Sequence, residues 1–474
     1  MPRVPVAPFS VADHVPSSDK DPIGVSTFFP SMLLRRVVHN TSSIRFYSSM
    51  TLQPLPKPAR FAQTPKDVWS LINEAAAASE EASGKKVVNL GQGFFSYSPP
   101  QFAIDAAKKA LDVPALNQYS PTRGRPSLLK AVSDAYSPYF GRTLDPASEI
   151  VITAGANEGM YAAFTAFLNP GDEVIVFEPF FDQYISNIEL PGGKVVYVPL
   201  HPPKDSQHTS SAANWSLDIA EFEAAITPKT KMIVVNTPQN PTGKVFSKEE
   251  LTQIGELAVK HNLIVLSDEV YDRLYFEPFT RIATLNEALA RLTLTVGSAG
   301  KIFAATGWRV GWLIGNPDLI KYVAAAHTRI CFCVNSPLQE ASAQALIQAQ
   351  TNSYYDDTIA SIKKKHELLN SAFEYLGLPY SQAQGGFFVL VNFSKVKIPA
   401  DYAFPSDLDG RAKDFRTAYW LIKEVGVVAI PPTEFFIPEH AHLAEDYLRF
   451  AVCKDDDLLE EAVERLKGLK KYIE

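Results

Sequence analysis

From about residue 60 onward, short apolar runs alternate with longer stretches of helical periodicity. The runs are rich in β-branched residues and apolar on both faces, which is typical of strands buried between two helical layers. The predicted strands are 149–153, 173–177, 195–199, 231–235, 263–267, 292–296 and 310–314. This alternation predicts an α/β fold with a mostly parallel sheet, and such sheets bind ligands at the carboxyl ends of their strands.

Two stretches illustrate the helices between these runs. Residues 159–167 have a helical apolar pattern, and a second helix is predicted from residue 247. Ser247 and Glu250 have the spacing of a capping box, which marks the start of that helix. The residues of chemical interest fall at the ends of the predicted strands.

Lys301 lies in a stretch of small and apolar residues that begins at Ser298. Lysine is almost never fully buried without a partner. In a dry pocket it can lose its proton and attack a carbonyl carbon to form a Schiff base. Asp268 and Tyr271 follow an earlier apolar run, and a carboxylate there needs a cationic partner. A protonated pyridine nitrogen would serve, so the pattern indicates pyridoxal phosphate (PLP) chemistry.

Other groups also follow predicted strands. Residues 153–159 contain two glycines and open a helix, whose free N–H groups could bind a phosphate. Phe180 and Phe181 could face a planar ring, and residues 236–243 carry two asparagines. Taken singly, each has a plainer explanation: a glycine-rich turn, core packing, or a proline-containing turn.

Taken together, these groups describe a PLP site. Lys301 would carry the cofactor covalently, and Asp268 would keep the pyridine nitrogen protonated so that the ring can accept electrons. Tyr271 and Asn240 would hydrogen-bond the phenolate oxygen. The other predicted cofactor contacts are Ala156, Asn157, Phe181, Asn236, Ser298 and Arg309.

Several motifs occur together in one order. They are Val88-Asn-Leu-Gly-Gln-Gly93, Asn117-Gln-Tyr119, the segment 172–182, Asn236-Thr-Pro-Gln-Asn-Pro-Thr-Gly243, Ser267-Asp-Glu-Val-Tyr271, Ser298-Ala-Gly-Lys301 and Tyr447-Leu-Arg-Phe450. In this order they resemble the class I/II aminotransferases of fold type I, and within them the kynurenine aminotransferase and cysteine-conjugate β-lyase group. The resemblance runs from about Trp69 to the C-terminus.

The resemblance implies substrate contacts. Arg449 would hold the α-carboxylate bidentately, with help from Gly93 and Asn240. Tyr119 would cross a dimer interface to the cofactor phosphate of the partner subunit. An aromatic wall suited to kynurenine or another large hydrophobic amino acid would comprise Trp69, Tyr184 and Phe332.

The resemblance also implies an architecture and a reaction. A large PLP domain with a seven-stranded sheet would span 103–345, and a smaller α/β domain would combine 51–102 with 346–474. The protein would be a homodimer that passes an amino group from an L-amino acid to a 2-oxo acid such as 2-oxoglutarate. Lys301 would carry the α-proton, and a substrate with a β-leaving group would undergo elimination instead.

The sequence departs from the family pattern in one loop and at two single positions. Phe94-Phe-Ser-Tyr97 stands where the family commonly has Phe-Pro-Asp-Phe, in a loop that borders the substrate. Arg309 replaces a lysine, and Cys333 replaces a histidine beside Phe332. The first departure leaves the side-chain preference open.

Other classes of protein remain as alternatives. Another PLP enzyme of this fold, such as a lyase or synthase, would share the cofactor contacts. A PLP-fold sensor that lacks catalysis would need a DNA-binding domain, and the first 60 residues show no helix-turn-helix pattern. A serine acyl-transfer hydrolase with Ser298 and Lys301 lacks companion motifs and leaves Asp268 and Tyr271 unexplained.

Composition excludes several partners. The net charge of −7 argues against nucleic-acid binding. Cys331, Cys333 and Cys453 are too few for a disulfide framework, and no histidine cluster in the sequence completes a metal site with them. No apolar run approaches the length of a membrane span.

The N-terminal segment has a different composition. No acidic residue occurs from Pro22 to Lys66, whereas arginine, serine and threonine are frequent, as in a mitochondrial transit peptide. We therefore expect residues 1–50 to be a targeting or disordered segment, followed by a proline-stiffened linker at 52–58. Met50 could start a cytosolic form, so the expected location is mitochondrial, cytoplasmic or both.

Overall fold

The structure is a computed structural model that describes residues 67–473. The predicted targeting segment and proline-stiffened linker lie outside the described residues.

The strands of the described part are short and mostly apolar. In chain order they are β1 (Val88–Asn89), β2 (Ile150–Thr153), β3 (Glu173–Glu178), β4 (Lys194–His201), β5 (Ser210–Ser211), β6 (Ser216–Leu217), β7 (Thr230–Asn236), β8 (Ile264–Asp268), β9 (Thr293–Ser298), β10 (Gly311–Gly315), β11 (Ser381–Gln382), β12 (Phe388–Asn392), β13 (Val427–Val428) and β14 (Tyr447–Ala451).

The central sheet has the strand order β2-β10-β9-β8-β7-β3-β4-β6. Neighbours from β9 to β4 are parallel, whereas β10 runs antiparallel to both β2 and β9. Each predicted strand appears in this sheet, so the mostly parallel α/β sheet is confirmed. The two-residue strand β6 pairs antiparallel with β4 and was not predicted.

Alternate residues of the central strands pack into different cores. On β3, Val174 and Val176 belong to one hydrophobic cluster, and Ile175 and Phe177 belong to another. Because successive strand side chains point to opposite faces, this division shows that both faces of the sheet are covered. The β-branched composition that predicted buried strands is thereby accounted for.

Helices pack against the central sheet and, together with strands β11 to β14, make up the C-terminal region. They are α1 (Val68–Ser83), α2 (Gln101–Leu111), α3 (Pro126–Phe140), α4 (Ala156–Phe167), α5 (Gln183–Glu189), α6 (Ile219–Ala225), α7 (Lys248–His261), α8 (Glu287–Leu292), α9 (Ala299–Ile302), α10 (Pro317–Ile330), α11 (Ser336–Ala349), α12 (Tyr354–Leu376), α13 (Lys413–Val425) and α14 (Asp456–Lys467). Ser247 and Glu250 form the predicted capping box at the start of α7.

The C-terminal region also forms small two-stranded sheets. β13 and β11 pair with the earlier strands β1 and β5, whereas β12 and β14 both belong to the C-terminal region. β1 pairs in parallel with β13, and β12 pairs antiparallel with β14. By backbone contacts, the described residues 67–473 belong to one compact unit. The predicted division into domains at 103 and 345 stays a prediction. Among residues 67–473, no helix is long and apolar enough to cross a membrane.

Candidate active site

One edge of the central sheet collects polar residues. Asn236, Asp268 and Ser298 are the last residues of β7, β8 and β9, which run parallel to one another. Because β10 is antiparallel, its first residue, Gly311, pairs with Ser298. The chain therefore brings Arg309, two residues before β10, to the same edge.

A cavity of about 240 Å³ lies at this edge. Every predicted site residue lines it except Tyr119 and Phe332. The predicted residues that line it are Trp69, Gly93, Ala156, Asn157, Phe181, Tyr184, Asn236, Asn240, Asp268, Tyr271, Ser298, Lys301, Arg309 and Arg449. Five further residues that the sequence did not predict also line it: Met160, Val270, Thr306, Phe388 and Phe435.

Lys301 reaches this cavity from the short helix α9. Its Nζ donates to the carbonyl oxygen of Gly93 at 3.0 Å and lies 5.2 Å from the ring centroid of Phe387. Burial lowers the pKa of the Lys301 ammonium to about 8, and the positive charge of Arg449 acts in the same direction. A substantial fraction of the side chain is therefore an uncharged amine near neutral pH, as a nucleophile or base requires.

Asp268 is buried and forms no ion pair with another described residue. Its Oδ2 accepts a hydrogen bond from the hydroxyl of Tyr184 at 2.5 Å, and burial raises its pKa. A buried carboxylate is costly unless a cation or several donors satisfy it. The arrangement suits a ligand that offers a protonated nitrogen.

Tyr184 and Asn236 both form hydrogen bonds to Asp268 at the end of β8. Tyr184 was predicted in the substrate wall, and it lines the cavity with its hydroxyl directed at Asp268. The side-chain amide of Asn236 donates to the backbone carbonyl of Asp268 at 3.0 Å and accepts from the backbone N–H of Asn240 at 2.9 Å. These bonds tie the ends of β7 and β8 to the loop that carries Asn240.

Arg449 lies on β14 and is 2% exposed. Its Nη1 donates to Oδ1 of Asn240 at 2.9 Å and its Nη2 donates to the carbonyl of Gly91 at 2.8 Å. Burial lowers the pKa of its guanidinium to about 10. Within residues 67–473 we find no ion pair for it, so an anionic ligand would supply the missing counter-charge.

The start of α4 and Arg309 form a cradle for a second anion. Gly155 precedes α4 with φ of 83°, and a Cβ at this position would lie 2.7 Å from Nη2 of Arg309. A Cβ at Gly311 would lie 2.7 Å from the backbone nitrogen of Ala156. Gly155 therefore lets the Arg309 guanidinium lie beside the start of α4, and Gly311 lets β10 pack against the backbone there. The free N–H groups of a helix N-terminus favour phosphate.

Tyr119 and Phe332 lie outside the cavity of this chain. Their side chains are 84% and 51% exposed, and their rings meet edge to face with centroids 5.5 Å apart. Trp69, by contrast, lines the cavity, and its Nε1 donates to Asp182 at 3.1 Å. Of the three predicted wall residues, Trp69 and Tyr184 line the cavity, and Phe388 and Phe435 add aromatic surface that was not predicted.

One cysteine has neighbours that the sequence did not reveal. Possible ligand atoms of Glu158, His327 and Cys331 lie within 4.8 Å of one another. Both Nδ1–Oε distances between His327 and Glu158 are 3.0 Å, which is an ordinary hydrogen-bonding distance. Burial raises the pKa of the Cys331 thiol to about 12.

Comparison with known proteins agrees with this geometry. The family model for aminotransferase class I and II matches residues 85–466. A Saccharomyces cerevisiae protein described as a probable kynurenine–oxoglutarate transaminase is 57% identical over 418 residues, which cover 87% of this chain and 94% of that protein. Human kynurenine–oxoglutarate transaminase 1 is 35% identical over 402 residues, covering 82% and 94%. The crystal structure of Bna3p from Saccharomyces cerevisiae matches with a TM-score of 0.86, covering 87% of this chain and 98% of that chain at 57% identity.

Proposed function

Because the chain belongs to the aminotransferase class I and II family, we propose that it binds PLP at Lys301 and moves an amino group from kynurenine, or a similar aromatic L-amino acid, to a 2-oxo acid. The observation that carries the proposal is the pairing of two groups in one cavity. Lys301 is a lysine with a lowered pKa, and Asp268 is a buried carboxylate without an ion-pair partner among the described residues.

The residues present fit the cofactor. Asp268 would meet its pyridine nitrogen, and the α4 start with Arg309 and Ser298 would hold its phosphate. Tyr271 and Asn240 would meet its phenolate oxygen, and Phe181 would cover one ring face. When bound, PLP supplies an electron sink for negative charge at the substrate α-carbon.

The other steps fall to side chains of the protein. The guanidinium of Arg449 would hold the substrate carboxylate through two parallel hydrogen bonds. Binding of the carboxylate by Arg449 would place the substrate α-hydrogen near Lys301. The uncharged amine of Lys301 would take the α-proton and deliver it to a carbon of the cofactor. Phe388 and Phe435 flank Arg449, with centroids 4.4 and 5.0 Å from its Cζ, and help to exclude water.

Substrate preference is proposed from the aromatic wall and the relatives' names. Trp69 lies in the cavity 5.7 Å from Cζ of Arg449, where a side chain of the bound amino acid would pass. The yeast and human relatives are named for kynurenine and oxoglutarate. Kynurenine with 2-oxoglutarate is therefore the first pair to assay, and β-elimination from cysteine conjugates remains a prediction for the same site.

Trp69→Ala tests the substrate proposal. We expect kcat/KM for kynurenine to fall by about 10- to 100-fold, because one large apolar contact contributes roughly 1–3 kcal/mol. The value for alanine, which cannot reach the wall, should change little. Steady-state assays with a panel of amino acids and 2-oxoglutarate make the comparison. Wild-type protein that prefers alanine or aspartate to kynurenine would argue against the proposed substrate.

The lowered pKa of Lys301 predicts the pH dependence of cofactor attachment. Only the uncharged amine attacks the PLP aldehyde, so its rate of attachment to cofactor-free protein should rise with pH and level off above about pH 8. A free lysine derivative should keep gaining rate toward its ordinary pKa of about 10.4. Stopped-flow absorbance measures both, and a protein rate that climbs in parallel with the free lysine contradicts the lowered pKa.

Assembly and location are also proposed. The exposed pair Tyr119 and Phe332 supports a homodimer, and the family resemblance implies that Tyr119 reaches the cofactor phosphate of the partner subunit. Sedimentation of wild type and of Tyr119→Ala would test assembly.

Mitochondrial targeting, with a cytoplasmic form from Met50, rests on the composition of the N-terminal segment. Fractionation of cells that carry tagged protein tests it.

A further inference from the structure

Four consecutive backbone carbonyl groups beside the cavity accept hydrogen bonds from side-chain cations. Arg449 donates to the carbonyl of Gly91 at 2.8 Å, and Lys301 donates to that of Gly93 at 3.0 Å. Lys454 donates to the carbonyls of Gln92 at 3.0 Å and Phe94 at 2.8 Å. We call residues 91–94 the carbonyl segment. It connects the proposed carboxylate clamp with the proposed reactive lysine.

Lys454 belongs to none of the roles described so far. It is 2% exposed, and none of the described ion pairs includes it. Its ammonium also lies 3.9 Å from the ring centroid of Phe94. Two carbonyls and one aromatic face thus occupy its donors. A buried ammonium carries a desolvation cost, and burial lowers the pKa of Lys454 accordingly.

Backbone hydrogen bonds also hold Lys454 in position. It follows β14, the strand that carries Arg449, and its backbone N–H donates to the carbonyl of Val452 at 2.8 Å. Val452 in turn donates to the carbonyl of Phe387 at 2.8 Å. The ammonium is therefore held by backbone that is rigidly connected to the cavity wall.

We propose that Lys454 is a positioning residue for Lys301: by holding the carbonyls of Gln92 and Phe94, it directs the intervening carbonyl of Gly93 at the Lys301 amine. The carbonyl of Gly93 accepts a hydrogen bond from the Lys301 amine whenever that amine is not joined to the cofactor. The amine is then kept close to the α-carbon, where it must move a proton. The inference rests on the proposed function, because it concerns the free amine between reaction steps.

Lys454→Met tests the inference, since methionine keeps most of the side-chain volume without the charge or donors. The measurement uses purified, PLP-loaded protein and kynurenine without a 2-oxo acid, so that only the first half of the amino transfer takes place. We expect the maximal rate of this half-reaction to fall roughly 10- to 100-fold, as a small misplacement of a catalytic group can produce. α-Deuterated substrate should slow the variant more than it slows wild type, because proton transfer becomes rate-limiting. The visible cofactor band should remain.

Two further variants separate positioning from general loosening. Lys454→Arg keeps a cation with several donors and should recover most of the rate. The Ser96 hydroxyl donates to the Asp455 carboxylate at 2.6 Å and accepts from the Asp455 backbone N–H at 2.7 Å. Ser96→Ala removes both bonds but leaves the carbonyl segment intact, so its isotope effect should match wild type.

The outcomes distinguish this inference from the proposed function. A Lys454→Met protein with an unchanged rate and isotope effect overturns the inference alone. So does a variant that no longer folds or binds the cofactor, since Lys454 would then support the fold instead of the amine. If Ser96→Ala shows the same isotope effect as Lys454→Met, loosening of the loop is sufficient and the inference is also overturned. A wild-type protein without a cofactor band overturns the proposed function itself.

Discussion

Lys301→Ala should abolish amino transfer while the protein keeps its fold. The variant loses both the amine that attaches the cofactor and the base that moves the α-proton. General base catalysis alone contributes roughly 10²- to 10⁴-fold, and the loss of the attachment point adds to it, so kcat should fall by more than about 10²-fold. Production of glutamate from 2-oxoglutarate and kynurenine measures the loss.

Two control variants show whether a loss of activity in Lys301→Ala comes from the missing nucleophilic amine of this lysine. Lys301→Arg keeps a positive charge without a nucleophilic amine and should be equally inactive. Lys130→Ala removes an exposed lysine that pairs with Asp134 on α3, and it should retain the wild-type rate. Substantial amino transfer by Lys301→Ala would show that another residue performs the chemistry.

Arg449→Met should weaken every amino-acid substrate together. The guanidinium is buried, its hydrogen bonds go to neutral oxygens of Asn240 and Gly91, and it has no described ion pair. A substrate carboxylate that binds the guanidinium forms a buried charged pair with it. Truncating one partner of such a pair costs roughly 2–5 kcal/mol. We expect kcat/KM to fall by about 10²- to 10³-fold for kynurenine and alanine alike.

The lysine substitution at the same position serves as the control. Arg449→Lys keeps a charge but not the planar fork, so it should recover only part of the loss. The visible cofactor band should be normal in both variants, because Arg449 is proposed to contact the substrate and not the cofactor. If Arg449→Met affects only kynurenine, Arg449 recognises the side chain and its assignment to the α-carboxylate is wrong.

The central sheet could be predicted because its signal is local. Runs such as 231–235 are apolar on both faces, and the observed strand Thr230–Asn236 contains that run. The polar residues at strand ends follow from the same reasoning, since parallel strands present their carboxyl ends at one edge. Asp268, Ser298 and the start of α4 therefore lie together as expected.

Contacts between distant segments could not be predicted in this way. Tyr184 reaches Asp268 only because α5 packs behind the sheet edge, and no periodic pattern encodes that packing. Phe388 and Phe435 line the cavity from the C-terminal region. Gly155 looked like one more glycine in a turn, and its close approach to Arg309 depends on the antiparallel direction of β10.

Reduction of the purified protein with borohydride, followed by peptide mass spectrometry, tests the central claim most directly. Borohydride converts a lysine–cofactor imine into a stable amine, which marks the attachment point. We predict one peptide that carries the mass of reduced PLP, with the modification on Lys301. A reduced protein without this modification, or one modified at a different lysine, would contradict the account.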